Sequence, residues 1–179
     1  MVPEWDETKC IQCNRCSYVC PHATIRPFAL TEEEVAAAPE GLQVAKMTGK
    51  GLEALKFTMA VSPMDCMGCG VCVGECPAKE KAIKMVPRES QEYKQPVFDY
   101  LVANVGKKEG MPAKETVKGS QFEKPLLEFS GSCAGCAETA YARLITQLFG
   151  DRMYISNATG CSSIWGGPAA TSPYTVNEK

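Results

Sequence analysis

Short runs in which apolar and polar residues alternate predict three strands in the first half of the chain. FTMAV at 57–61 alternates as a half-buried strand does, and ATIR at 23–26 and AIKMV at 82–86 are further short runs of this kind. With the helices predicted below, these strands favour an α+β fold.

Helix signals lie between these runs. Thr31 with Glu34 resembles a capping box and predicts a short helix over 32–38, which Pro39 and the residues after it end. We interpret residues 27–56 as an insertion between two similar halves.

A longer helix is predicted over residues 137–149, where apolar residues recur at helical spacing and Gly150 follows as a suitable C-cap. The recurring positions are Ala140, Leu144, Ile145 and Leu148. We expect this apolar stripe, together with Phe149, to be partly exposed or to lean on the first half of the chain.

The residues after this helix predict a strand at 153–156, a turn at 157–160 and then Cys161. Loop, helix, strand and a turn that carries a cysteine resemble the opening of an α/β domain. Residues rich in Gly, Pro and Lys before it predict a connector with one short ordered element at 95–105. The expected divisions are 1–87, a connector at 88–120, and 121–179.

Cysteine spacing gives the strongest chemical signal. CIQCNRCSYVCP at 10–21 and CMGCGVCVGECP at 66–77 place four cysteines at the same intervals, offset by 56 residues. The first three thiolates of each run can converge on one cubane cluster, whereas the fourth, which precedes a proline, ligates the other cluster in bacterial ferredoxins with two 4Fe-4S clusters. The predicted ligands are Cys10, Cys13, Cys16 and Cys76 for cluster A, and Cys66, Cys69, Cys72 and Cys20 for cluster B.

Two zinc sites are the alternative for these cysteines, but three cysteines within seven residues crowd a tetrahedral ion. His22, the only histidine, is expected near a cluster edge, because a Rieske centre needs two histidines. The second run has Gly68 and Gly70 where the first has Gln12 and Asn14, so the two clusters are not expected to be equivalent.

Composition narrows the class of protein. The chain has 179 residues, eleven cysteines and a formal net charge of −2. The odd count argues against a closed disulfide framework, and dense cysteine without a signal peptide favours a reducing, cytoplasmic location. Near-neutral charge gives no footprint for nucleic acid, and no apolar run is long enough to span a membrane.

Three further cysteines lie near the end of the chain. Cys133 and Cys136 form a C-x-x-C pair, and Cys161 follows 25 residues later. A thioredoxin-type dithiol is one interpretation of the pair, and an inert structural cysteine is one interpretation of Cys161.

Long stretches of the chain resemble one family. CPHATIRP, SPMDCMGCGVCVGECPAKEKA and FSGSCAGCAETAYARLITQLFGDRMYISNATGCSSIWGG are similar to the single-chain pyruvate:ferredoxin (flavodoxin) oxidoreductases, over essentially all 179 residues. The resemblance implies that Cys133, Cys136 and Cys161 ligate a third, proximal 4Fe-4S cluster, with a fourth ligand downstream of this chain. It also implies that Glu138 and Cys161 contact thiamine diphosphate, which binds with magnesium.

The function implied by the resemblance is oxidative decarboxylation of pyruvate with CoA to acetyl-CoA and CO₂, by a homodimer that passes electrons to ferredoxin or flavodoxin. A G-D-G-x motif with a following Asn is absent, and the family chain is many times longer, so we expect a fragment that is inactive on pyruvate alone. A stand-alone ferredoxin-like carrier, a zinc-stabilised interaction module and an oxidoreductase for another 2-oxoacid are the alternatives.

Overall fold

Two small antiparallel sheets frame the first half of the chain in the computed structural model, which describes residues 1–175. Strand β1 (Val2–Trp5) pairs with β5 (Ile83–Val86), which joins the two ends of this half. In the second sheet, β4 (Lys56–Val61) lies between β2 (Ile25–Leu30) and β3 (Ala45–Lys46). The predicted strands at 57–61 and 82–86 are confirmed.

Residues 1–175 contain seven α-helices, and none of them is long and apolar enough to cross a bilayer. They are α1 (Arg15–Tyr18), α2 (Glu32–Ala36), α3 (Val71–Glu75), α4 (Gln95–Asn104), α5 (Val117–Ser120), α6 (Ala137–Phe149) and α7 (Cys161–Gly166). The predicted helix at 137–149 is confirmed with its bounds, and the ordered element predicted at 95–105 is α4. Helix α2 begins at the predicted capping box and ends two residues early.

Strand β2 starts later and runs further than the predicted strand at 23–26. Ala23 has a left-handed backbone with φ 55°, so it precedes the strand. Pro27 pairs with Met59 inside the strand although it has no N–H to donate. This is tolerated because β2 lies at the edge of its sheet, where one side of the strand needs no partner.

Strand β4 is buried on both faces, and its alternate side chains enter two separate cores. Phe57 and Met59 pack in a core that contains Trp5 and the thiols of Cys16, Cys20 and Cys72. Ala60, on the other face, packs in a second core under α4, which is formed by Leu30, Val97, Phe98 and Leu101. Helix α4 therefore covers the face of the sheet that points away from the cysteines.

Helix α6 buries polar side chains and exposes apolar ones. Its buried residues are Thr139, Arg143, Thr146 and Gln147, whereas Tyr141, Ile145 and Phe149 are exposed. Leu144 and Leu148 are half-buried, so the prediction of a partly exposed apolar stripe is confirmed. Helix α6 is held to the first half of the chain by hydrogen bonds rather than by packing of apolar side chains.

The predicted strand at 153–156 is wrong. These residues have no regular structure, and Tyr154 is fully exposed. An isolated strand leaves its backbone N–H and C=O groups without partners, and no strand of the described residues lies beside this one. Cys161 begins α7 instead of ending a turn, and β structure in this part is limited to a bridge between Leu127 and Tyr174. Residues 176–179 of the predicted division lie outside the described residues.

The core under α4 gives a matched pair of substitutions. Leu101 has no exposed surface, whereas its neighbour Val102 is 37% exposed. Leu101→Ala should lower the free energy of unfolding by about 2–5 kcal/mol, because it leaves a cavity in the core. Val102→Ala should change it by less than about 0.5 kcal/mol. Urea unfolding followed by circular dichroism measures both, and equal losses would contradict this placement of α4.

Candidate metal centres

Two cavities in the first half of the chain are lined by cysteines of both runs. One is lined by Cys10, Cys13 and Cys16 together with Cys76 of the second run. The other is lined by Cys66, Cys69 and Cys72 together with Cys20 of the first run. We call them the first and second cavity. The structure therefore brings together the same two groups of four thiols that the spacing predicts.

Two short helices and the β1–β5 pair position these thiols. Cys16 lies in α1 and Cys72 in α3, at equivalent places in the two runs, and the two helices pack against each other. Cys20 and Cys76 follow the ends of these helices and cross to the opposite cavity. All eleven thiols of the chain are free.

Left-handed backbone recurs at the same positions of both runs. In the second run these positions are Gly68 with φ 69° and Gly70 with φ 74°, as the glycines predict. In the first run they are Gln12 with φ 55° and Asn14 with φ 60°. A left-handed backbone strains these two residues, because each has a Cβ. Both loops thus keep one backbone shape, although only one of them has glycine.

Hydrogen bonds of their side chains hold the two strained residues of the first run. The Gln12 Nε2 donates to the Lys46 carbonyl at 2.8 Å, and Gln12 Oε1 accepts from the Thr48 amide at 2.9 Å. Asn14 Nδ2 donates to the Lys118 carbonyl at 2.9 Å. The first cavity is therefore tied to the insertion and to α5, whereas the glycines of the second run leave its loop without such ties.

Burial makes several of these thiols weak acids in the metal-free chain. Burial, together with neighbouring thiols, raises the pKa of Cys72 to about 12 and that of Cys16 well above its ordinary value. Backbone amides of Ser17 and Val73 donate to these sulfurs and partly oppose the rise in pKa. The amide of Gln12 donates to the Cys10 sulfur at 3.4 Å. Amides aimed at sulfur are a feature of iron–sulfur sites.

Within residues 1–175, no three His, Cys, Asp or Glu side chains are grouped to hold one metal ion. Four thiols around a shared cavity fit a cubane cluster, because each ligand binds a different iron atom.

His22 lies at the edge of the second cavity, as predicted, and connects it to the residues before Cys133. The Ser130 hydroxyl is 3.3 Å from Nδ1 of the ring. Burial lowers the pKa of this imidazole, although backbone contacts with Ser130 and Cys133 favour the charged imidazolium and raise its pKa in part. The sequence pattern gave no sign of this connection.

The C-x-x-C pair lies beside the second cavity. The Cys136 amide donates to the Cys133 carbonyl at 3.1 Å, so the pair forms one tight turn. Gly135 inside this turn is so close to Cys69 that an added Cβ would lie 3.6 Å from the Cys69 Cβ. Cys133 and Cys161 are exposed and Cys136 is half-buried.

Glu138, which the resemblance assigns to thiamine diphosphate, lies in the first turn of α6 and is exposed. Burial, together with the charge of Glu138, raises the pKa of the Tyr174 phenol. Tyr174 packs against Trp165 of α7, with ring centroids 6.1 Å apart. Glu138 and α7, which begins at Cys161, are therefore both near Tyr174.

Two cations beside the cavities were missed by sequence reasoning. Lys118 of α5 lies near Cys10 and Cys13, and Arg143 of α6 lies near Cys20. Arg143 lies on one face of α6 with Thr139, Thr146 and Gln147. The helical spacing of these polar residues is visible in the sequence and could have indicated a buried polar face. Lys118 has no comparable signal.

Comparison with known proteins supports a metal-binding role. Residues 9–80 match the protein family described as "4Fe-4S dicluster domain". This match confirms the prediction of a ferredoxin-type domain with two 4Fe-4S clusters, and it covers both cysteine runs.

Similarity to individual proteins extends over nearly the whole chain. A Klebsiella pneumoniae protein named pyruvate-flavodoxin oxidoreductase is 56% identical over 99% of this chain. A Moorella thermoacetica protein named pyruvate:ferredoxin oxidoreductase is 53% identical over 99% of it. A Euglena gracilis protein named mitochondrial pyruvate dehydrogenase (NADP+) is 49% identical over 99% of it. The chain spans 15% of the length of the first two and 10% of the third.

The left-handed backbone of the second run can be tested with two glycines. Gly68→Ala should lower the free energy of unfolding by about 1–2 kcal/mol, because a left-handed residue with a Cβ is strained. The new Cβ would also lie 2.8 Å from the Met1 carbonyl oxygen.

Gly74 in α3 is the control, since a Cβ there meets no atom within 4 Å. Gly74→Ala should leave stability unchanged or raise it, because alanine favours helix. Urea unfolding of the metal-free chain compares the two variants. A Gly68→Ala variant as stable as Gly74→Ala would mean that this loop has another backbone shape.

Proposed function

Because this chain is related along 99% of its length to one segment of pyruvate-flavodoxin and pyruvate:ferredoxin oxidoreductases, we propose that it is the electron-relay part of such an enzyme. The observation that carries the proposal is the pair of cavities, each lined by three thiols of one run and the fourth of the other. The ferredoxin-type match across both runs supports it.

In this proposal the eight thiols of the two runs hold two 4Fe-4S clusters, which accept and release single electrons when bound. Cluster A would be held in the first cavity and cluster B in the second, with the ligands predicted from the spacing. The chain supplies thiolates, donates backbone N–H groups to sulfur and excludes water by burying Cys16, Cys20, Cys72 and Cys76.

We further propose that Cys133, Cys136 and Cys161 contribute to a third cluster, and that Glu138 and the region of Cys161 face thiamine diphosphate with its magnesium. The support is the position of the C-x-x-C turn against Cys69 and the shared neighbourhood of Glu138 and α7 at Tyr174. The second cavity is then the nearer of the two to the third group of thiols. The divisions 1–87, 88–120 and 121–179 stay a proposal on the same basis.

The proposed reaction of the whole enzyme is oxidative decarboxylation of pyruvate with CoA, in a cytoplasmic homodimer that reduces flavodoxin or ferredoxin. Eleven free thiols suit a reducing compartment. A relative named as an NADP+ enzyme is 49% identical to this chain. We therefore propose that this segment does not determine which electron acceptor the whole enzyme uses. If the enzyme acted on another 2-oxoacid, or if the chain were a stand-alone electron carrier, the proposal for the two clusters would be the same.

The proposal that the fourth cysteine of each run binds the cluster of the other run is tested by Cys20→Ala. After anaerobic reconstitution, the unaltered chain should hold about eight irons in the two cavities. The variant should lose the cluster of Cys66, Cys69 and Cys72, although Cys20 belongs to the other run. Cys16→Ala, four residues earlier, is the matched control and should damage the cluster of Cys10, Cys13 and Cys76.

Iron and acid-labile sulfide analysis, with electron paramagnetic resonance of the reduced protein, distinguishes the two variants. If both lost the same cluster, the crossed assignment would be wrong. Zinc without sulfide in the purified protein would contradict the relay itself.

Cys69 gives a second test, because it is exposed in the metal-free chain and yet is a proposed ligand. At pH 8, iodoacetamide should label Cys69 early and Cys72 late. With a pKa of about 12, only on the order of one Cys72 thiol in ten thousand is ionised at that pH. Iron and sulfide should then protect Cys69.

Peptide mass spectrometry measures the labelling of each cysteine. A mock reconstitution without sulfide is the control and should leave Cys69 reactive. Rapid labelling of Cys69 in a chain that has bound iron and sulfide would remove it from the ligand set.

A further inference from the structure

Arg143 is a buried cation for which residues 1–175 offer no carboxylate. Its side chain is 1% exposed. Nη1 donates to Oε1 of Gln121 at 2.8 Å and of Gln147 at 3.0 Å, and Nη2 donates to the carbonyls of Ser17 at 2.9 Å and Tyr18 at 2.7 Å. Every one of these partners is uncharged, and Nε has no partner among the described residues.

These contacts place the guanidinium on the backbone between two proposed cluster ligands. Ser17 and Tyr18 lie between Cys16, in the first cavity, and Cys20, in the second. The Ser17 carbonyl also accepts the backbone N–H of Cys20 at 3.0 Å. Arg143 and the amide of Cys20 therefore share one acceptor.

A buried cation without an anion is costly, so such a group calls for a compensating charge. The other buried arginine, Arg26, has one in Glu128. Arg143 stays protonated at neutral pH, since burial lowers its pKa only to about 10. The nearby groups that become anionic when the cavities are filled are the thiolates, foremost Cys20.

We propose that Arg143 sets the reduction potential of the cluster held by Cys20, Cys66, Cys69 and Cys72, as a fixed positive charge supplied by α6. This inference rests on the proposed relay function. Reduction adds one electron and thus one negative charge to that site, and a nearby cation stabilises the reduced form. Arg143 would then be a positioning and tuning residue that links the relay to the segment carrying Cys133 and Cys136.

The test is a potentiometric titration of the anaerobically reconstituted full chain with dithionite, followed by electron paramagnetic resonance. Arg143→Gln should make the potential of this cluster more negative. At a fixed potential its reduced-to-oxidised ratio should fall by about tenfold, the effect of one charge over roughly 10 Å at an effective dielectric constant of about 20. The signal of this cluster is identified by its selective loss in Cys69→Ser.

Two further variants separate charge from structure. Arg143→Lys keeps the charge but loses much of the hydrogen bonding, so stability should fall while the potential stays close to that of the unaltered chain. Gln121→Glu keeps Arg143 but places a carboxylate 2.8 Å from Nη1, so the potential should become more negative without loss of the contact. Gln121→Glu tests the proposal even if Arg143→Gln does not fold.

Lys118, beside Cys10 and Cys13, is the matched control on the other cavity. Lys118→Met should shift the potential of the cluster held by Cys10 and leave that of the Cys20 cluster unchanged. An unchanged potential in Gln121→Glu, or an equal shift in Arg143→Lys and Arg143→Gln, would overturn the inference and leave the relay intact. Failure of the unaltered chain to bind iron and sulfide would overturn both.

Discussion

The structure depends on one constraint, which is that each cavity takes thiols from both cysteine runs. Cys20 and Cys76 can cross only if α1 and α3 lie side by side, and this requires the two halves to close on each other. The pairing of β1 with β5 provides that closure, because it brings the start of the chain against the end of the second half. The core that surrounds β4 then includes the thiols as packing groups as well as ligands.

The first half of the chain and its two groups of cysteines could be predicted from the sequence, because the residues that determine them lie close together in the chain. Iron ligands need fixed intervals, and the capping box of Thr31 and Glu34 forms within one turn of α2. The left-handed positions of the second run were marked by glycine. Gln12 and Asn14 hold the same shape by contacts with residues 34–104 positions away, which no local pattern reveals.

The second half was harder to predict because its contacts are long in range. The strand expected at 153–156 has apolar residues of the right kind, but a strand exists only beside a partner. Helix α6 was found from its apolar period, yet its buried face is the polar one. Thr139 bonds Ser132, and Thr146 accepts from the Leu126 amide at 3.1 Å, so the helix is oriented by specific donors and acceptors. Such a contact fixes orientation more strictly than an apolar seam, because each buried polar group needs its own partner.

The shared lining of the cavities has a consequence for the order of synthesis. A ribosome that has released the first run has completed neither cavity, since each still lacks cysteines of the second run. Cys76 lies 66 residues after Cys10, and at about 5–20 residues per second it follows after about 3–13 s. During this interval the early thiols have no complete cavity. In the proposed relay, iron and sulfur can therefore be fixed only after both runs have emerged.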